Sequence, residues 1–332
     1  GLCWTEGYSA ERCCDLSVAP QGDASCWDEL FNFEACCLAA ADGLAEGAKA
    51  WRGIHARANR QTRSNWALYA EHRGNVTALL ADSVPRHGRL AILGAGNLND
   101  VDVASLAAAA GGALHVTALD LDAAAVRRAA AKVDEPAISW QIEQAELTGV
   151  LPELEGLGAG GLDAAPDAAV EPILRRALAH RVMAAGSPDD AYDLVLSAGL
   201  LSQLCRQLNL LVRSQARFLA LCAAVAESHL LSLLGLLAPG GLGLLVSEVC
   251  AADAPGCRCS GRRRSAGCLA SVGPALFDAP ALPGLLRSPG FRRAGVNATT
   301  VTLHEPWWWR QPRPRADYLT VAVSFRKSFR RY

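Results

Sequence analysis

Three side chains that can take part in proton transfer and anion binding fall close together in one short stretch of the chain. Tyr69, His72 and Arg73 lie three and four positions apart, so a helix would place them on one face. An imidazole can accept a proton, a phenol can hydrogen-bond an acceptor group, and a guanidinium can bind a carboxylate or sulfate. We predict that His72 and Tyr69 are catalytic and that Arg73 binds substrate. The alternative is a surface helix with a half-buried aromatic residue.

A second candidate pair follows the fourth predicted strand. Ser202 and Gln203 stand just after this strand, and open α/β sheets bind their ligands outside the carboxyl ends of the strands. We predict a substrate contact from Ser202 and a catalytic contact from Gln203. The alternative interpretation is that both residues are ordinary helix caps.

Three consecutive tryptophans, Trp307 to Trp309, form a third candidate. Alternate side chains of a strand point to opposite faces, so all three cannot point inward, and we expect at least one to be exposed. We predict that Trp307 lines a substrate pocket as an aromatic wall for a sugar or a sulfonium. A protein contact and a lid packed on the sheet edge are the alternatives.

The elements that must position these residues begin with a strand, a glycine-rich turn and a helix. An apolar strand at 89–93 leads into Gly94 and Gly96, a helix is expected over 101–110, and a second strand at 114–119 ends on Asp120. This order is typical of a nucleoside-binding βαβ unit, in which glycines allow close approach of the backbone and the carboxylate binds ribose. The dinucleotide fingerprint has a third glycine where Asn99 stands, which disfavours a nicotinamide cofactor.

The rest of the chain continues the same alternation of strands and helices. We predict a third strand at 138–142 before Glu146, a fourth at 192–197, and a fifth at 242–248 after the Leu237–Gly241 turn. Two β-rich segments, 296–303 and 318–325, predict an antiparallel hairpin. The expected fold is α/β, a Rossmann-like, doubly wound, mostly parallel seven-stranded sheet with an antiparallel C-terminal hairpin.

These features resemble the class I S-adenosylmethionine-dependent methyltransferases over roughly residues 60–326. The resemblance implies that Gly94 and Gly96 pass under the methionine part of the cofactor and that Asp120 holds its ribose. It also implies that Glu146, or the backbone of the adjacent Ala145, faces the adenine. Asn97, Asn99 and Asp100 are candidates for further polar contacts with the cofactor, and Ser197 is an additional cofactor-binding candidate.

The chain departs from the family pattern at two positions. The family usually carries an acidic residue where Ile92 stands and often has a small residue where Leu98 stands. The Asn/Asp-Pro-Pro-aromatic motif that part of the family uses on nitrogen acceptors is absent after the fourth strand. We therefore expect methyl transfer to oxygen or sulfur of a small molecule, or to a glycan hydroxyl.

The first 40 residues contain two copies of one pattern, displaced by 23 residues. The shared positions are Cys3, Trp4, Tyr8, Glu11, Cys13 and Cys14 in the first unit, and Cys26, Trp27, Phe31, Glu34, Cys36 and Cys37 in the second. Each unit is too short to bury its aromatic residues alone, so we expect the units to pack together through disulfides, with the pairing left open. Zinc is the alternative, but the spacing does not match its usual pairs of thiolates.

The cysteine content points to an oxidising compartment. The chain has 12 cysteines, and the sequons at Asn75 and Asn297 are potential glycosylation sites in a secretory lumen. The N-terminal repeat resembles modules of secreted or Golgi-type algal proteins. Four further cysteines, for which we favour disulfides over a metal, lie in a loop after the fifth strand: Cys250, Cys257, Cys259 and Cys268.

Composition excludes several functional classes. The chain has 332 residues, 51% of them hydrophobic, with 33 acidic against 32 basic residues, as in a globular protein without a basic surface for nucleic acid. No uncharged stretch reaches the roughly 20 residues of a spanning helix. We predict a Cys-rich module at 1–40, a helical lead-in or lid at 41–88, and a methyltransferase domain at 89–332 with insertions at 156–188 and 250–270.

Two functions from different classes remain open. The first is S-adenosylmethionine-dependent methyl transfer without a metal. The second is a methyltransferase-like subunit without turnover that docks on protein partners through the Cys-rich module or Trp307–Trp309, a hypothesis motivated by Ile92 and by a module of no evident catalytic use. A nicotinamide-dependent oxidoreductase is a distant third.

Overall fold

A computed structural model describes the central part of the chain and isolated residues elsewhere. The described residues are 13, 23–26, 55–150, 153, 166–182, 191–201, 203, 204, 208, 212, 214–251, 298–312 and 315–327. Most of the N-terminal repeat, about half of the 156–188 insertion, most of the 250–270 insertion, Ser202 and Asn297 lie outside them. The predicted domain boundaries therefore stay predictions.

Eight strands form a single mixed sheet. They are β1 (Gly88–Leu93), β2 (Leu114–Asp120), β3 (Ile138–Gln144), β4 (Tyr192–Ala198), β5 (Leu237–Ala251), β6 (Ala298–Leu303), β7 (Trp307–Pro312) and β8 (Arg315–Lys327). The order is β3-β2-β1-β4-β5-β8-β6, and β7 also pairs with β8. The first five strands run parallel to one another, while β8 is antiparallel to β5, β6 and β7.

The helices connect the parallel strands and cover the sheet. They are α1 (Ala70–Ala81), α2 (Val103–Ala109), α3 (Ala123–Ala130), α4 (Asp167–Ala179) and α5 (Gln215–Leu236). A 3-10 turn, Trp66–Tyr69, leads into α1, and residues 55–62 before it are helical. We call residues 55–62 the covering helix. Side chains of Asp102 and Asp122 cap α2 and α3 by accepting the N–H of Ser105 and Ala125, both at 3.1 Å.

The sheet separates two apolar layers, because successive side chains of each strand point to opposite faces. Leu90 and Ile92 of β1 belong to the layer that contains α1, α2 and α3. Ala91 and Leu93 belong to the layer that contains α4 and α5. Both faces of the parallel strands are therefore buried, which explains why these strands appear in the sequence as continuous apolar runs.

The expected fold class is confirmed, with one strand more than the seven expected. The additional strand is β7, which contains the tryptophan run and pairs with the first half of β8, with Trp307 opposite Thr320. Trp307 and Trp309 are buried in the α1 layer, whereas Trp308 points to the other face and is half-buried. The alternation follows the strand period, and none of the three rings is fully exposed.

Strand β5 begins earlier than expected. Tyr192 pairs with Leu237 and Leu194 with Leu242, so the Pro-Gly-Gly segment lies in an irregularity within the strand. A Cβ on Gly241 would lie 2.9 to 3.0 Å from three carbonyl oxygens, which only glycine can avoid.

Helix α5 is long and apolar enough to cross a membrane by length and composition. It is the one such helix among the described residues, and 72% of its most apolar window is buried inside the protein. Packing against the sheet and α4 accounts for its apolar character. Cys222 on this helix is a buried free thiol, as expected for a small hydrophobic residue.

One disulfide joins the two N-terminal units. Cys13 of the first unit is bonded to Cys26 of the second, with a Cα–Cα distance of 5.6 Å. The remaining cysteines of the repeat lie outside the described residues, so their predicted disulfides stay predictions.

Candidate functional site

The glycine-rich turn after β1 needs backbone angles that glycine provides. Gly94 and Gly96 have φ values of 70° and 48°, in the left-handed region. The N–H of Gly94 donates to the carbonyl of Leu119 at the end of β2, at 2.8 Å. A Cβ on Gly94 would lie 2.7 Å from Cδ1 of Leu200. The turn is thus held tightly between β2 and the segment after β4.

Leu98 also has a left-handed backbone, with a φ of 57°. Its side chain is buried in the α1 layer. Because this conformation is unfavourable for a residue with a Cβ, burial of the leucine must offset the local strain.

The carboxylate of Asp120 lies directly beside this turn. Its Oδ2 accepts the N–H of Gly96 at 2.9 Å, and its Oδ1 accepts the N–H of Asp122 at 2.7 Å. Burial raises the pKa of Asp120, while the two backbone hydrogen bonds and His55 act in the opposite direction. The sequence prediction had placed this carboxylate at the turn, and the structure brings the two together.

The environment of Asp120 fits the ribose of an adenosyl cofactor. A carboxylate oxygen has two lone pairs, and each oxygen of Asp120 uses one of them on a backbone N–H. The remaining lone pairs can accept the hydrogen bonds of two vicinal hydroxyls. The ribose contact of Asp120 and the methionine contacts of Gly94 and Gly96 stay predictions.

The covering helix lies across the same turn. The side-chain amide of Asn97 donates to the carbonyl of Asn59 at 2.5 Å and to Oγ1 of Thr62 at 2.9 Å, and that of Asn99 donates to the carbonyl of Thr62 at 2.9 Å. A Cβ on Gly96 would lie 3.1 Å from Oδ1 of Asn59. Asn97 and Asn99 thus anchor this helix, and their predicted cofactor contacts stay predictions.

The carboxylate of Glu146 is hydrogen-bonded to the turn that follows it. Its carboxylate accepts the N–H of Thr148 and that of Gly149, both at 2.6 Å, and also the Thr148 hydroxyl. The adjacent Ala145 donates its N–H to the carbonyl of Asp120 at 3.0 Å. The turn is thereby fixed next to the candidate ribose site, and the adenine contact of Glu146 stays a prediction.

Ser197 lies in the opposite layer from α1, near the end of β4. It is fully buried, and its Oγ is 2.8 Å from Nε2 of His229 on α5. Burial, and to a lesser extent His180, lowers the pKa of His229 to about 4, so the imidazole is neutral at pH 7. The cofactor contact predicted for Ser197 stays a prediction. His229 was not singled out from the sequence, because it stands in a long apolar helix.

The residues predicted on α1 meet the tryptophans of β7. The ring of His72 stacks on that of Trp309, with centroids 4.6 Å apart, and Tyr69 packs edge-on against Trp309 at 5.0 Å. Nε1 of Trp307 donates to Nδ1 of His72 at 3.2 Å. The structure therefore joins Tyr69, His72 and Trp307 in one buried cluster, which we call the aromatic cluster together with Trp309.

The guanidinium of Arg73 makes its contacts within the protein. Its Nη1 donates to the carbonyls of Trp66 and Asn99, at 2.7 and 3.3 Å, and its guanidinium lies 3.5 Å above the Trp66 ring. Burial lowers the pKa of Arg73, against the raising effect of Asp102 and Asp100. These contacts tie the 3-10 turn to the glycine-rich turn, and substrate binding by Arg73 stays a prediction.

Two carboxylates, Asp100 and Glu248, approach the aromatic cluster, and of these only Glu248 was not singled out from the sequence. Burial raises the pKa of Tyr69, and the negative charges of Asp100 and Glu248 raise it further. Glu248 Oε1 and Gln203 Nε2 lie 3.6 and 3.7 Å from the position of a Cβ on Gly199. Gln203 and Glu248 thus both lie beside Gly199, near the carboxyl ends of β4 and β5, where ligands bind in open α/β sheets. Glu248 could have been found from the sequence, because it stands near the end of the fifth predicted strand.

Comparison with known proteins gives likenesses of structure only. No family model matches the sequence, and no curated protein matches it. An O-methyltransferase family protein from Burkholderia thailandensis is 14% identical, with a TM-score of 0.43, over 86% of this chain and 64% of its own length. The chain therefore spans just under two thirds of that protein.

Two further solved structures are similar at the same level. Human N-acetylserotonin methyltransferase, solved in complex with S-adenosylmethionine, is 13% identical over 87% of this chain and 60% of its own, with a TM-score of 0.37. An arsenic(III) S-adenosylmethionine methyltransferase from Chlamydomonas reinhardtii is 18% identical over 79% and 74%, with a TM-score of 0.34. At these values no residue role carries over to this chain.

A metal site is not apparent in the described part of the chain. Among the described residues, no group of three or more His, Cys, Asp or Glu side chains is arranged to hold a metal ion. The expectation that the protein works without a metal stays a prediction.

Proposed function

We propose that the protein transfers a methyl group from S-adenosylmethionine to oxygen or sulfur of a small molecule, or to a hydroxyl of a glycan. The observation that carries the proposal is the junction of Asp120 and Gly96. There, a buried carboxylate at the end of β2 meets a glycine turn and keeps lone pairs for two hydroxyls. The sequence resemblance to class I methyltransferases agrees with this geometry.

When bound, the cofactor supplies an electrophilic methyl group on a sulfonium. The protein supplies position and exclusion of water, which are the main needs of an in-line displacement. Asp120 and the glycine turn orient the adenosyl part, and the covering helix closes over the turn. The acceptor would enter near Tyr69, Gln203 and Glu248, at the carboxyl ends of β4 and β5.

The test is calorimetric titration of the oxidised protein with S-adenosylmethionine and S-adenosylhomocysteine. We expect micromolar binding that weakens about 100-fold in Asp120→Ala, since two hydrogen bonds to a carboxylate are lost. Asp134→Ala, which changes an exposed aspartate, is the matched control and should bind normally. Absence of binding by correctly folded protein would contradict the proposal.

A second candidate is a methyltransferase-like subunit without turnover. It is favoured by Ile92, which is buried in the core where the family usually has an acid, and by Asn59, which lies above Gly96. Asn59 would then fill space that a cofactor needs. Binding of neither cofactor form, together with a stable complex with a partner through the Cys-rich module, would establish this alternative.

The proposed location is an oxidising compartment, as in the secretory pathway. The disulfide between Cys13 and Cys26 supports this, because such bonds persist outside reducing compartments. Asn75 is half-buried on α1, and the Thr77 hydroxyl of its sequon accepts the N–H of Asp102 at 2.9 Å. Peptide mapping of the native protein under non-reducing conditions, with and without glycosidase, tests both the disulfide and the proposed glycan.

A further inference from the structure

His72 is enclosed by the tryptophans of the aromatic cluster, and both of its ring nitrogens face other side chains. Only 2% of its side chain is exposed, its ring stacks on Trp309, and Trp307 lies 5.7 Å away between ring centroids. A general base must come within hydrogen-bond distance of the proton that it removes. The imidazole therefore cannot reach an acceptor directly, and its role has to be exerted through a neighbour.

The hydrogen bond from Trp307 determines which nitrogen of His72 carries the proton. An indole N–H can only donate, so Nδ1 of His72, which lies 3.2 Å from it, acts as the acceptor and is unprotonated. The neutral ring must then carry its proton on Nε2. This nitrogen is buried, lies 3.3 Å from Oδ1 of Asp100 and has no aligned hydrogen-bond partner.

Asp100 is the member of this chain of contacts that reaches solvent. Its side chain is 28% exposed, compared with 2% for His72. It lies in the same turn as Gly94 and Gly96, and its negative charge raises the pKa of Tyr69, as does that of Glu248 on β5. Asp100 is thus close both to the candidate cofactor turn and to the aromatic cluster.

We propose that Asp100 is the catalytic carboxylate that accepts the proton of the methyl acceptor, and that His72 is a positioning residue that holds Oδ1 of Asp100 through Nε2–H. The inference rests on the proposed function. The acceptor hydroxyl donates a hydrogen bond to Oδ2 of Asp100. As the hydroxyl oxygen forms its bond to the methyl carbon, the hydroxyl proton moves to Oδ2. The carbon–sulfur bond of the cofactor breaks, and its electron pair stays on sulfur.

This arrangement favours a hydroxyl over a thiol as the acceptor. A thiol with an ordinary pKa of about 8.5 ionises readily near neutral pH, whereas a hydroxyl needs a base at the moment of transfer. The charged and titratable groups that face the pair are Tyr69 and Arg73 from the α1 side and Glu248 from β5. The long contact between Asp100 and His72 is expected to tighten when an acceptor hydroxyl binds, as catalytic hydrogen bonds often do.

The first test needs no turnover. Long-range proton–nitrogen NMR of the imidazoles should show His72 as the Nε2–H tautomer at neutral pH. In protein saturated with S-adenosylhomocysteine, addition of phenol should shift the Nε2 resonance of His72 in the wild type and leave it unshifted in Asp100→Asn. An Nδ1–H tautomer, or an equal shift in both proteins, would overturn the proposal.

The second test follows a labelled methyl group onto phenol, catechol, glycerol and 2-mercaptoethanol as probes. For the hydroxyl probes, Asp100→Asn should lower kcat at least 100-fold with the dissociation constant for S-adenosylmethionine changed less than threefold. His72→Phe should lower kcat about 10-fold with little change in KM, and His72→Gln, whose amide can reach the Nε2 position, should restore most of it. Asp134→Asn serves as the control.

The remaining outcomes separate this inference from the proposed function. Failure to bind S-adenosylmethionine removes the proposed function, although the tautomer of His72 can still be read. Binding of the cofactor with methylation of the thiol alone, or of none of the probes, overturns the role of Asp100 as a base for a hydroxyl. Equal loss in His72→Phe and His72→Gln would show that the ring serves packing only.

Discussion

Two buried histidines lie on opposite sides of the sheet and differ in what their nitrogens meet. His72, in the α1 layer, accepts a hydrogen bond from Trp307 and faces the carboxylate of Asp100. His229, on α5, meets the hydroxyl of Ser197, and its Nδ1 has no hydrogen-bond partner. Burial is nearly equal at the two sites. The electrostatic environment is different, since one imidazole lies beside a partly exposed carboxylate and the other lies in an apolar layer.

The difference teaches that burial alone does not identify a functional histidine. A histidine without a nearby carboxylate becomes a neutral core residue, as the lowered pKa of His229 shows. A histidine beside a partly exposed carboxylate can instead orient a group that solvent and ligands reach. Substitutions can disrupt the surroundings of His72 and of His229 separately. The predictions below run from the largest expected effect to the smallest.

The largest expected effect comes from Trp309→Ala in the aromatic cluster. This ring is 6% exposed and contacts His72, Tyr69 and Tyr318, so its removal leaves a large cavity. We expect a loss of about 3–5 kcal/mol in the free energy of unfolding. Denaturant unfolding measures it. Trp308→Ala, on the half-buried opposite side of the same strand, should cost clearly less, and equal losses would contradict the assignment of faces.

The second effect is a pH dependence of stability from His229. Its pKa is about 4 in the folded protein and 6.5 as the ordinary value, so the unfolded chain binds the extra proton between these values. Stability should therefore fall as the pH drops from 6.5 to 4, by about 3 kcal/mol in total for this group. The measurement is denaturant unfolding of the wild type and His229→Gln at pH values across this window.

His229→Gln should flatten the slope of stability against pH, because it removes the group whose pKa is lowered by burial. A wild-type slope that survives in His229→Gln would show that another group is responsible.

The contrast also shows what the sequence could predict. The βαβ unit was accessible because apolar runs, glycines and Asp120 follow one another along the chain. Trp307 and His72 are 235 positions apart, so their hydrogen bond depends on how β7 pairs with β8 beside α1. The sequence indicates Asp100 only as a candidate polar contact for the cofactor. Its significance comes from His72, which only the fold places beside it.

A smaller effect is expected from Ser197→Ala. The change removes the hydroxyl that lies 2.8 Å from Nε2 of His229 and leaves both ring nitrogens without partners in an apolar layer. An unsatisfied buried polar group costs about 1–3 kcal/mol, and we expect a loss of stability in this range. Thermal or denaturant unfolding would show it. The double variant Ser197→Ala/His229→Leu should recover part of the loss, because both polar partners are then gone.

The smallest expected change in stability comes from a buried hydroxyl that makes no hydrogen bond. Thr117 on β2 is fully buried, and its Oγ1 makes no hydrogen bond. Valine has nearly the same shape without the polar atom, so Thr117→Val should leave stability unchanged or raise it by up to about 1 kcal/mol. Together with Ser197→Ala, this substitution separates the cost of losing a partner from the cost of burying a hydroxyl. A clear loss of stability in Thr117→Val would mean that this hydroxyl is satisfied by an ordered water, and the same would then be expected for Nδ1 of His229.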